Sequence, residues 1–225
     1  MIEPDIGRWL APPTLAAFSQ LFTGTGSAPG LEARDRALIL VGLHAVHGDE
    51  TEALQHGREA LAAGAPARAV VEVVLAAAIS RGGQALRRTR RLLSELDQAP
   101  WSPNEKPQWT AREYLVSEFG EVPGWARHLE AFAPDALADY TTVRQRILTE
   151  GAAPRWVKEL VTMVLNAIDG NAGGIRSHAA AALRHGADRT AVMGSLLLGV
   201  RVGGIVTWIN GLTAISDLVG LPSYG

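Results

Sequence analysis

Glu159 and His178 are the residues of this chain best suited to acid/base chemistry, and they stand nineteen positions apart in the stretch KELVTMVLNAIDGNAGGIRSHAAAALRHG, residues 158–186. A break at Asp169-Gly170-Asn171 divides that stretch, so two helices folded into a hairpin would bring the carboxylate and the imidazole into one pocket. An imidazole with an ordinary pKa of about 6.5 exchanges protons near neutrality, and the small side chains of SHAAAALRH leave room beside it for a ligand. Glu159 would orient or charge-balance His178, or act as a base itself if burial raised its pKa. Asn171 and Gly174 fall where the second helix begins. Asn is a favoured N-cap, and the free N–H groups of a first turn, with the helix dipole, suit a substrate carboxylate or a developing oxyanion. Asp169 is a rival cap or a further acid, Arg176 can pair with a carboxylate, and Trp208 in GGIVTWINGL can wall a pocket. Each has a bland reading as well. His178 can be a core histidine, Glu159 a surface carboxylate beside Lys158, Asn171 a cap alone, Arg176 a solvated cation, and Trp208 packing at a core or subunit interface.

Composition narrows the setting. The 225 residues carry a formal net charge of -2, with 47% hydrophobic and 20% charged side chains. Nucleic acid and acidic membrane surfaces, which select a basic excess, are not expected partners. No apolar run approaches the roughly 18 residues of a membrane span, and MIEPDIGRW lacks the basic and apolar segments of a secretion signal, so a cytoplasmic location is expected. With no cysteine in the chain, disulfides, thiolate nucleophiles and Cys-ligated metals are out of reach. His44 and His47 are three apart, but no further ligands follow at convincing spacing, so neither a metal nor a cofactor is expected.

The elements that must position these groups are helical. A helical apolar pattern starts from Pro4 and runs to TGTGSAPG, a loop by its Gly and Ser content. Helices follow over about 31–46, through His56 to near Gly64, and from Ala65-Pro66. Gly82-Gly83 marks a bend before the basic helix QALRRTRRLLSEL, whose run Arg87 to Arg91 reads as a solvated face. DQAPWSPNEKPQW, with three prolines, looks like a linker, and a short helix can form over 112–121. Then the pattern returns. A shift of 122 residues superposes Leu43 on Leu165, Gly48 on Gly170, His56 on His178, Gly64 on Gly186 and Gly82 on Gly204 without an insertion. Such a constant offset indicates internal duplication. The expected organisation is a first repeat over 1–98, a linker over 99–122 and a second repeat over 123–225. The expected fold class is all-α, two tandem helical repeats related by a pseudo-twofold axis.

The second copy resembles the carboxymuconolactone decarboxylase and alkylhydroperoxidase D superfamily, from APDALADY through to GGIVTWINGL. In the peroxidase branch the motif is Glu, eleven residues, Cys, two residues, Cys, three residues, His; the same spacing here reads Glu159, Asn171, Gly174, His178. The resemblance implies the family's helical fold and denies the peroxidase reaction, which needs a thiolate and a resolving thiol. It implies instead a cofactor-free lyase or isomerase acting on a small anionic lactone or keto acid, by decarboxylation or as a natural-product tailoring step. His178 and Glu159 would be catalytic, with Asn171, Gly174, Arg176 and Trp208 against the substrate. Single-repeat members form hexamers, so a fused tandem is expected to be a homotrimer. The first copy has Ala37, Asp49 and Glu52 at the motif positions and keeps His56. It is a scaffold, a wall lent to its partner's pocket, or a second site around His56. The alternative to an enzyme is a non-catalytic helical assembly that binds a small molecule or a protein.

Overall fold

The computed structural model describes residues 11–48, 50–96, 108–149 and 151–222, and among them every regular element is a helix. The first repeat comprises α1 (Pro12–Gly26), α2 (Ala33–His47), α3 (Glu50–Ala62), α4 (Ala67–Arg81) and the short α5 (Gln84–Arg88) and α6 (Arg90–Glu95). α7 (Ala111–Phe119) and α8 (Gly124–Phe132) stand between the repeats. The second repeat comprises α9 (Pro134–Ile147), α10 (Arg155–Ile168), α11 (Ala172–Arg184), α12 (Arg189–Gly203) and α13 (Ile205–Ile215). At the 122-residue shift α1 to α4 fall on α9 to α12, so the duplication in the sequence is a duplication of elements. Gly64 and Gly186, just past the ends of α3 and α11, both take positive φ, 87° and 106°, a conformation that only glycine adopts cheaply.

α2 and α10 form the centre. Residues 37–46 of the one and 157–167 of the other are buried throughout; that run of α2 is apolar on every face but for His44, whereas α10 carries the buried polar residues Lys158, Glu159, Thr162 and Asn166 along one side. They approach closely at Gly42, where a Cβ would lie 2.5 Å from a Val161 methyl. A single apolar cluster draws on both halves, so the repeats share one core. A smaller cluster of Leu115, Val122, Ala126 and Leu137 fastens α7 and α8 to α9.

A buried ion pair also spans the repeats. Lys158 Nζ donates to Glu72 Oε2 at 3.1 Å, and the same carboxylate accepts the backbone N–H groups of Ala152 and Ala153 at 3.1 and 3.0 Å. Burial pushes the Glu72 carboxyl up, but the Ala153 N–H, the Lys158 charge and the Ala152 N–H outweigh it and hold it below the usual carboxylate range. Lys158 is therefore no marker of solvent beside Glu159, because both side chains are inside.

Three local details depart from the sequence pattern. α1 continues through Gly26 where a loop is expected, and the Thr23 and Thr25 hydroxyls bond back to the Ser19 and Leu21 carbonyls within the helix. The basic helix after Gly82-Gly83 is interrupted at Thr89, and Arg88 turns inward to the carbonyls of Val46 and Gly48 at the end of α2. The expected start near Pro4 and residues 97–107 of the linker lie outside the described residues. No helix among the described residues is long and apolar enough to cross a membrane.

Candidate active site

α10 and α11 are consecutive, joined at Asp169-Gly170, and the hairpin brings Glu159 and His178 together. His178 Nδ1 lies 2.7 Å from Glu159 Oε2, and the glutamate is fully buried. Its other oxygen accepts from Arg155 Nε at 3.2 Å, one helical turn earlier, and Arg155 also donates to Glu118 of α7 at 2.6 Å. Burial pushes the Glu159 carboxyl up; the His178 hydrogen bond and charge, with Arg155 and Arg144, more than reverse this and hold it below its ordinary value. An ionised Glu159 accepts the Nδ1–H of His178, which fixes the tautomer and leaves Nε2 to meet a ligand.

His178 opens on a cavity of about 640 Å³. Asn171, Gly173 and Gly174 line one side of it, and Phe119, Trp125 and Tyr140 form an aromatic wall. Trp125 and Tyr140 meet edge to face at 5.6 Å. α4 of the first repeat closes the cavity with residues 79–81, so this site is built by both halves. Arg144 of α9 also lines the cavity and is itself buried, 5% exposed. Its guanidinium donates long hydrogen bonds to the Tyr114 and Tyr140 hydroxyls, at 3.4 and 3.3 Å, and lies over the Phe119 and Tyr140 rings. Burial lowers its pKa, but the two phenols and Glu159 raise it further, so the cation is retained. Among the described residues no carboxylate forms an ion pair with Arg144. On the same cavity wall Arg81 holds Asp169 at 2.5 Å and the Leu165 carbonyl at 2.9 Å, while its buried Nε has no hydrogen-bond acceptor among the described residues. A cavity lined by a buried guanidinium and an imidazole is suited to an anion.

The residues picked out by type and spacing separate into two groups. Asn171 caps α11 by accepting the Gly174 N–H at 3.2 Å, and its amide donates to Asn166 Oδ1 at 2.8 Å. Gly174 is required there, since a Cβ would lie 2.3 Å from Asn166 Oδ1. These residues lie at the cavity with His178, and Glu159 stands directly behind it. Arg176 does not line the cavity; its guanidinium is exposed, at 2.6 and 2.7 Å from the Asp217 carboxylate. Trp208 is also outside it and packs against the main apolar cluster. Its neighbour Asn210 donates to the Ala167 carbonyl at 2.9 Å near the end of α10. Asp169 pairs with Arg81 instead of capping α11. His56 belongs to a different cavity, in the first repeat.

Arg144, Arg155, Glu118, Phe119, Tyr140 and Asn166 are site residues that the motif does not announce. One signal was present: Arg155 precedes Glu159 by four residues, the spacing of an intrahelical ion pair. Tyr140 and Arg144 share that spacing on α9, but nothing in the sequence says that α9 and α11 line one cavity.

Two tandem all-helical repeats, the second carrying a buried carboxylate–imidazole pair on adjacent helices beside a cavity lined by a buried guanidinium, define the class of protein. The model of the carboxymuconolactone decarboxylase family matches residues 12–95 and 134–215, one match per repeat, and the chain belongs to that family. No curated protein matches the chain.

Proposed function

We propose that the chain is a cofactor-free lyase or isomerase that acts on a small anionic lactone or keto acid. The observation that carries the reading is the pairing, in one cavity, of an imidazole fixed by a buried carboxylate with a buried guanidinium that has no carboxylate partner among the described residues. Arg144 takes a carboxylate that the substrate keeps. His178 Nε2 exchanges a proton with the carbon beside the carbonyl, and Glu159 stabilises the imidazolium while the proton is held. In a decarboxylation the C–CO₂ bond breaks with its electron pair entering the conjugated carbonyl, and the imidazolium then delivers its proton to carbon. In an isomerisation the neutral imidazole first takes the proton and returns it elsewhere. The enolate oxygen would sit at the start of α11, whose first-turn residue Gly173 lines the cavity. Family membership supports the general class, and the cavity's buried cation and aromatic wall support a small anionic substrate.

The alternative, a purely structural His178 in a binding assembly, fits a sealed apolar interior better than a cavity with this polar lining. A turnover assay over carboxylated lactones and β-keto acids, following ultraviolet absorbance and released CO₂, tests the proposal. Loss of turnover in folded His178→Ala and Glu159→Gln, with a raised KM in Arg144→Met, is the expected pattern. Unchanged turnover in His178→Ala overturns it.

A further inference from the structure

The first repeat has a cavity of its own, of about 450 Å³. Its position repeats that of the second. His56 stands where His178 does, Gln55 where Ser177 does, and Phe22 of α1 where Arg144 of α9 does. Each cavity is closed by the fourth helix of the other repeat: α4 supplies Ile79 to the second, and α12 supplies Arg201, at the equivalent position, to the first. The cation has thus changed walls. Where the second cavity has Arg144 on one side and Ile79 across from it, the first has Phe22 and Arg201, so each keeps one guanidinium and one apolar side chain at this pair of positions.

We infer that the first repeat holds a second binding site, for a small carboxylate, in which Arg201 reaches across from the second repeat to take the anion and His56 meets it from α3. His56 is 6% exposed and lines the cavity, and its Nδ1 lies 2.7 Å from Glu59 Oε2, which leaves Nε2 for a ligand. The ring is held from one side by His44, stacked on it at 5.0 Å with 26° between planes. Arg201 also lines the cavity, and among the described residues it forms no ion pair with a carboxylate. Among the described residues the one carboxylate that lines the cavity, Glu52, lies 2.7 Å from His44 Nδ1 and is matched there. Ser19, Thr23 and Gln55 add polar groups, and the volume lies within the range of small-molecule sites. An arginine facing a carboxylate in such a cleft forms charge-assisted hydrogen bonds.

This inference does not depend on catalysis in the second repeat, and its test reads the two cavities separately. Full-length protein with isotope-labelled histidine rings is titrated with benzoate and followed by NMR, the His56 and His178 signals being assigned with His56→Gln and His178→Gln. The His56 signal is expected to move on a saturable curve whose Kd rises at least about tenfold in Arg201→Met and is unchanged in Arg144→Met. Arg201→Gln, which retains a polar side chain, guards against a packing effect of methionine and is expected to weaken binding similarly. A His56 signal that stays still while His178 titrates overturns the inference. So does a His56 curve that is the same in wild type, Arg201→Met and Arg201→Gln.

Discussion

The two repeats share a backbone plan and a histidine, yet they hold that histidine in different ways. His178 is paired with Glu159, nineteen residues away on the preceding helix, and the carboxylate is buried and shared with Arg155. His56 has Ala37 at the place of Glu159, and pairs instead with Glu59, three residues on along its own helix and half exposed. Both pairs close to 2.7 Å. A bond length alone therefore says little about how firmly a histidine is held; burial and the partner's other bonds decide it. The second repeat also has α7 and α8 beside it. They supply Glu118 to the Arg155 bridge and Phe119 and Trp125 to the cavity wall, and among the described residues the first cavity has no such covering helices.

The largest effect that this contrast predicts is on turnover. His178→Ala is expected to lower kcat by about 10²- to 10⁴-fold, and His56→Ala to leave turnover at the second cavity nearly unchanged. Steady-state kinetics of the two folded variants on one substrate would show it, and equal losses would erase the distinction between the repeats. Next in size is the ion pair that spans the repeats. Glu72→Ala leaves Lys158 buried without its carboxylate and is expected to cost about 3–5 kcal/mol in urea unfolding at pH 7. The pH dependence has a definite sign. Because the Glu72 carboxyl is held below its ordinary value near 4.5, its contribution is complete above that value and is lost as the pH falls through the folded-state pKa. Urea midpoints of wild type should therefore fall more steeply below pH 4.5 than those of Glu72→Gln.

Restoring the missing acid sharpens the comparison from the other side. Ala37 is buried, and Ala33, at the position of Arg155, is exposed alanine. Ala37→Glu places a carboxylate inside, at the position from which Glu159 meets His178 in the other repeat, and is expected to destabilise the protein by about 2–4 kcal/mol. Adding Ala33→Arg should recover about 1 kcal/mol or more, as a double-mutant cycle would measure. No recovery would mean that Arg155 does little for Glu159.

What was legible in the sequence was whatever depends on local spacing. The 122-residue shift, the glycines that end α3 and α11, and the Glu159–His178 register all survive as structure because period and turn chemistry are local properties. Arg176 and Trp208 lie near the motif in sequence, but a helix has several faces. Arg176 lies on the one that meets Asp217, and Trp208 packs against the core. Arg144 is not legible in the sequence because its role depends on the packing of α9 against α7 and α8, which no periodicity encodes. The stretch that reads as linker carries Tyr114, Glu118 and Phe119, whose chemistry becomes visible only once α7 is set beside Arg144 and Arg155.

The smallest expected effect is the most discriminating between the two histidine pairs. Glu59 is half exposed, so although its bonds from Gln55 and His56 outweigh burial and hold its carboxyl below the ordinary value, water answers most of that charge. Glu59→Gln should cost only about 0.2–0.5 kcal/mol at pH 7, the size of an exposed pair within one helix. Glu159→Gln, at the same distance from its histidine, should cost several times more, because Arg155 and Arg144 then lose a buried counter-charge. Urea midpoints of the two single variants and of His56→Gln and His178→Gln, combined into two double-mutant cycles, give the coupling in each repeat. A coupling in the first repeat as large as that in the second would mean that the half-exposed Glu59 fixes His56 as firmly as the buried Glu159 fixes His178, and burial would no longer explain the difference between them.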